Sequence, residues 1–134
     1  MESMIFDLDT GSEPAAVDIT DRVAAFTAGK GDGLVQVFCP HATAGIAIMG
    51  IGAGSGSDLI ELLDHLLPPD FRYRHQHGSP GHGADHVLPA VIAPSTTIPV
   101  LDGQLQLGTW QSVVFVDPNG DNPRRQVRLS FVAG

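Results

Sequence analysis

Five of the six histidines in this 134-residue chain, His65, His75, His77, His82 and His86, fall within 22 residues of one another. Imidazole is the commonest neutral metal ligand and changes charge near physiological pH, so this concentration points to metal binding or proton transfer. If His75-Gln-His77 is extended, both rings lie on one face. His86 is read as sitting in the first turn of a helix, where the positive end of the macrodipole favours the neutral, ligating ring. No HExxH pattern is present, and the single cysteine, Cys39, cannot complete a Cys-x-x-Cys site. The expectation is a divalent metal, zinc by ligand type alone. The alternative is a solvated loop that is merely rich in histidine.

His41 stands apart, where a strand ends in Pro40-His-Ala-Thr-Ala-Gly. From there it can be aimed at a shared site, with Thr43 offering a hydroxyl and the following backbone N–H groups an anion nest. A lone histidine in such a turn also serves as a hydrogen-bonded structural residue. Five of the seven basic residues cluster as well, Arg72 and Arg74 just before the histidines and Arg124, Arg125 and Arg128 near the end. In an acidic chain this placement suits a small anion such as phosphate or carboxylate. The glycine run Gly50 to Gly56 matches neither GxGxxG nor GxxxxGK, so nucleotide binding there is not expected. No GxSxG elbow supports a hydrolase triad.

These residues must be positioned by a single unit, because the chain has one domain's length, no internal repeat and no linker-like tract. Fifteen acidic against seven basic residues give a net charge of −8, which repels nucleic-acid backbones and anionic lipid. No apolar run is long enough to span a bilayer and the N-terminus has no basic leader, so a cytoplasmic protein is expected. Strands are expected at Met4 to Leu8, Leu34 to Cys39 and Ala44 to Met49. Helices are expected from Thr20 to Ala28, stopped by Gly29, from Asp58 to Leu67, capped by Ser57, and from His86 to Ala93, capped by Asp85. In the second of these Leu59, Leu62, Leu63, Leu66 and Leu67 form the apolar face. The last forty residues read as antiparallel strands, Thr97 to Leu101, Gln104 to Leu107, Trp110 to Val116 and Gln126 to Val132, with a hairpin at Asp102-Gly103. Runs of strands with segregated helices give an α+β domain, mainly antiparallel sheet with helices packed on it.

Several of these segments, in this order and spacing, resemble the YjbQ-like family, also called the secondary thiamine-phosphate synthase family. They are His41-Ala-Thr-Ala-Gly-Ile-Ala-Ile, Asp58, Tyr73-Arg-His75, His86 opening a helix, Ile98-Pro-Val with Asp102-Gly-Gln-Leu, and Leu107-Gly-Thr-Trp-Gln111. The resemblance covers nearly the whole chain. It implies a compact α+β homotrimer holding a metal and anions. By position, His41, His75 and His86 would ligate the metal and His41 and Asp58 would be catalytic. Thr43, Ala44, Gly45, Trp110, Gln111 and Arg125 would bind a small phosphorylated substrate or free phosphate or sulfate. His77 and His82 match no clear motif position. The family label implies the joining of a pyrimidine pyrophosphate to a thiazole phosphate. The family usually has a glutamate where this chain has Gly50, and the acid after the Trp-Gln strand is shortened to Asp117. Two functions are therefore weighed, a metal-dependent enzyme and a non-catalytic trimeric metal- and anion-binding protein of the same fold.

Overall fold

A computed structural model describes residues 1–134. In chain order the elements are β1 (Glu2–Asp9), β2 (Ala15–Asp18), α1 (Thr20–Thr27), β3 (Gly33–Phe38), β4 (Gly45–Met49), α2 (Ser55–Leu66), α3 (His82–Val87), β5 (Ser95–Leu101), β6 (Gln104–Leu105), β7 (Ser112–Asp117) and β8 (Arg124–Ala133). They form a five-stranded sheet in the order β1-β8-β3-β5-β6 and a three-stranded sheet in the order β2-β7-β4, with every pairing antiparallel. The α+β class expected from the sequence is the one observed.

Alternation along the strands explains the layering. Phe6, Val35, Val37, Ile98, Val100, Val127, Leu129 and Phe131 point from the large sheet toward Ile46, Val113 and Phe115 of the small one, and Val23 of α1 joins them. The other face of the small sheet presents Val114 and Val116 to Leu63 of α2 and to Leu88, which follows α3 in a short 3-10 turn. The small sheet is thus covered on both faces, and Val113 to Val116 are wholly buried. The outer face of the large sheet has no covering element and leaves Ile5, Leu34, Phe38, Leu101 and Val132 exposed.

Local chemistry sets the element ends. The Asp18 carboxylate accepts the N–H of Thr20, the first residue of α1, at 2.9 Å, while the Thr20 hydroxyl accepts the Val113 N–H at 2.8 Å and ties the helix to β7. Gly29 takes the left-handed conformation after α1, and Asp102 and Gly103 both have positive φ, as a tight two-residue hairpin requires. Helix α2 begins at Ser55 behind left-handed Gly54, two residues before the expected Ser57 cap. Of its expected apolar face only Leu63 is buried, whereas Leu62 and Leu66 are exposed. The helix expected from His86 to Ala93 instead begins at His82 and passes into the 3-10 turn at Leu88–Ala90. His86 therefore lies in the last turn of α3, so the expected influence of a helix N-terminus does not apply to it.

Candidate functional site

The earlier start of α3 puts His82 and His86 four residues apart, on one face of the helix. Their Nε2 atoms are 2.9 Å apart. The long loop from Pro68 to Gly81 brings His75 to the same place. It is anchored by the Tyr73 hydroxyl, which donates to the Pro68 carbonyl at 2.9 Å, and it packs directly on Gly83. A Cβ at Gly83 would come within 2.6 Å of the Tyr73 Cβ and 2.8 Å of the His75 carbonyl oxygen, so only glycine lets the loop and helix approach this closely. Gly78 plays a parallel part, with φ near +90° and the His82 ring where its side chain would be.

One ligand atom from each of His75, His82 and His86 lies within 4.8 Å of the other two. The His77 ring adjoins, with its centroid 4.0 Å from that of His75, so the two rings share a face. His75 Nε2 is buried and has no hydrogen-bond partner, a costly state for a polar atom unless something outside the chain meets it. Burial, followed by the neighbouring imidazoles, holds His75 and His86 below the ordinary histidine value. Both rings are therefore mainly neutral at pH 7, the form that donates a lone pair to a metal. Two nitrogens about 2.0–2.1 Å from a zinc ion sit roughly 3.3 Å apart in a tetrahedron, a spacing between the 2.9 Å of the His82–His86 pair and the 4.8 Å that bounds the trio. The donor set fits a borderline-soft divalent ion with at least one open position, and His75 and His82 border a cleft of about 360 Å³ with Arg72 and Ser79 on its wall.

His41 belongs to a different centre. Its Nε2 accepts the backbone N–H of Gln126 at 2.8 Å, and it lines a separate cleft with Asp7, Asp9, Arg124 and Arg125. Burial, reinforced by the Arg125 charge, lowers its pKa. Arg125 is only 3% exposed. Its Nε and Nη2 donate to the two carboxylate oxygens of Asp117 at 2.8 and 2.9 Å, and Nη2 also donates to the Thr43 hydroxyl at 3.0 Å. Thr10 and the Asn119 N–H donate to the same carboxylate at 2.7 and 2.9 Å. Asp117 is 1% exposed, and this pair is a buried, fully hydrogen-bonded structural post.

The structure thus groups His75 and His86 with His82, and turns His41 toward β8. Asp58 is exposed in the first turn of α2 and makes no side-chain hydrogen bond. Ala44 is in the core, and Gly45 is pressed against Ile92, whose carbonyl oxygen lies 2.3 Å from where a Cβ would be. Trp110 is 85% exposed beside Gly50, and the Gln111 side chain accepts the Gly108 N–H at 2.7 Å. The sequence did carry a signal for His82, the i,i+4 spacing to His86 behind Gly81. Glycines on both sides of His82 made that stretch read as loop.

The UPF0047 protein YjbQ-like family model matches residues 4–134. A UPF0047 protein of Mycobacterium tuberculosis is 60% identical over 134 residues, all of both chains. A UPF0047 protein of Archaeoglobus fulgidus is 32% identical, covering 92% of this chain and 97% of its own. Among solved structures, a hypothetical protein of Aeropyrum pernix K1 superposes over 100% of both chains with a TM-score of 0.89 at 30% identity. A YbjQ-like protein of unknown function from Sulfolobus solfataricus shares the fold, with a TM-score of 0.91 at 22% identity over 99% of this chain and 97% of its own. No helix is long and apolar enough to cross a membrane.

Proposed function

The chain belongs to the UPF0047 protein YjbQ-like family, and from that premise we propose that it binds a divalent metal, zinc by ligand type, through His75, His82 and His86, and uses it on a small phosphorylated substrate. The observation that carries this reading is the convergence of three imidazoles around a buried, unpartnered His75 Nε2. Three protein ligands and an open position are the pattern of a catalytic rather than a structural zinc site. When bound, the ion would supply Lewis acidity at a phosphoryl oxygen or a departing pyrophosphate, as the thiamine-phosphate synthase resemblance implies. The chain's own contribution is to hold His75 and His86 neutral, to fix the orientation of the three rings and to offer Arg72 at the cleft wall for the anion.

The test is the zinc or manganese content of tag-free protein, paired with turnover of phosphorylated metabolites. About one ion per chain, lost in His86→Ala together with activity, is expected. No stoichiometric metal after zinc or manganese addition, with activity unchanged in His86→Ala, rejects the reading.

A second reading, a non-catalytic metal- and anion-binding protein, is favoured by one observation. Arg125 and Thr43, the phosphate-binding residues implied by the resemblance, are hydrogen-bonded to each other, and Arg125 is further committed to Asp117. Calorimetry separates the readings, since tight binding of phosphorylated metabolites without product supports the second. In both readings the unit is a homotrimer, supported by the uncovered apolar face of the large sheet, Ile5, Leu34, Phe38, Leu101 and Val132. Light scattering at the mass of three chains is the expected result. The buried, unpaired Cys39 fits a reducing, cytoplasmic setting.

A further inference from the structure

The turn between β7 and β8 reaches the back of the histidine trio, and the proposed metal chemistry leaves it without a role. Asn119 is 3% exposed, and each part of it is engaged. Its backbone N–H donates to Asp117, its side-chain oxygen accepts the Asp121 N–H at 2.9 Å, and its Nδ2 donates to Asp85 at 2.9 Å. The same Nδ2 lies 3.3 Å from His82 Nδ1. On the other side of that ring nitrogen stands Asp121 Oδ2, at 3.4 Å, held in place by the Ser79 hydroxyl, which donates to it at 2.7 Å.

His82 Nδ1 therefore faces one group that can only donate, the Asn119 amide nitrogen, and one that as a carboxylate can only accept, that of Asp121. The two select opposite tautomers. With Nδ1 accepting from Asn119, the ring proton sits on Nε2 and can be donated to His86 Nε2, 2.9 Å away, which pairs the two Nε2 atoms without a metal. With Nδ1–H directed at Asp121, the lone pair is on Nε2, aimed where the three ligand atoms meet. A carboxylate on the far nitrogen of a ligating histidine sets the tautomer, orients the ring and raises its basicity.

We infer that Asp121 is a positioning residue that holds His82 as an Nε2 metal ligand, with Asn119 supporting the metal-free tautomer of the same ring. The inference rests on the metal reading of the trio. It adds the β7–β8 turn, some forty residues along the chain from His82, to the machinery of that site.

The experiment measures zinc and cobalt affinity by competition with a chromophoric chelator in wild type, Asp121→Asn, Asp121→Glu and Ser79→Ala. Nitrogen-15 NMR of the imidazoles follows in the wild-type and Asp121→Asn proteins. Asp121→Asn weakens metal binding about 10- to 100-fold, Ser79→Ala weakens it less, and Asp121→Glu recovers part of the loss. The Asp121 side chain is 42% exposed, so the metal-free melting temperature of Asp121→Asn stays at the wild-type value. In zinc-loaded wild type the His82 proton is on Nδ1. Wild-type zinc affinity in Asp121→Asn, or a His82 proton on Nε2 in the zinc form, overturns the positioning role and leaves the metal reading standing. A wild-type protein that takes up no zinc overturns both.

Discussion

The two histidine environments of this chain differ in what they leave unmet. Around His41, the imidazole accepts from Gln126, Thr43 accepts from Arg125, and each oxygen of Asp117 receives two hydrogen bonds. Around His75, His82 and His86, one ring nitrogen has no partner and two others face each other. A network that is satisfied internally contributes rigidity, and a cluster that is not is poised for something from outside. Residue type alone does not separate the two, because both contain histidine, a hydroxyl and a carboxylate.

The sharpest way to break the comparison is to remove Arg125. Arg125→Met leaves Asp117 charged and buried, and a loss of about 3–5 kcal/mol is expected in urea unfolding. A loss below about 1 kcal/mol would reduce this pair to the standing of a surface ion pair. The mirror experiment is His86→Ala. Removing one of three ligands lowers zinc affinity by on the order of 100-fold or more, while the metal-free protein loses in urea unfolding no more than the one His82–His86 hydrogen bond, about 0.5–1.5 kcal/mol. A large loss of metal-free stability would make the trio structural after all.

Asn119 joins the two regions, through Asp117 on one side and Asp85 on the other. Asn119→Ala removes the side-chain donor to Asp85, whose pKa burial already raises, and should cost about 1–3 kcal/mol. Equilibrium unfolding that shows no change would cut the link.

The smallest effect expected is in pH dependence. His41, His75 and His86 are all lowered from 6.5 in the folded chain, mainly by burial. Below that value the unfolded chain binds more protons, so metal-free stability falls as pH drops from 6.5 toward the lowered values. Asp85 is raised from 3.8 and opposes this, since the folded chain holds its proton more tightly above that value. Urea midpoints across this range should give a shallower slope in His41→Phe and a steeper one in Asp85→Asn. A wild-type midpoint that does not fall with pH would contradict the burial of these rings.

Much of the architecture was legible from period-2 patterning, because buried Val35, Val37, Val127 and Leu129 alternate with exposed Leu34, Gln36, Gln126 and Arg128. The Asp102-Gly103 hairpin was legible because few residue pairs accept two positive φ angles. Strand β2 was not, since Ala15–Asp18 is three half-buried residues and an exposed aspartate, with no β-rich composition. The start of α3 was hidden by tertiary contact. Glycine disfavours helix, yet Gly83 is in this one because the Tyr73–His75 loop leaves no room for a side chain. That single displacement concealed the His82–His86 pair. Only the folded chain shows that His41 turns toward β8, as Gln126 is 85 positions away.

Strand β1 pairs along its whole length with β8, Glu2 opposite Phe131 and Asp9 opposite Arg124. During synthesis the segment at residues 2–9 therefore has no sheet partner until residues 124–133 have left the ribosome. β3, which pairs with the other edge of β8, waits for the same event. Closure of the large sheet therefore waits for its last strand, and a nascent chain stalled before residue 124 would hold its apolar strands open to chaperones.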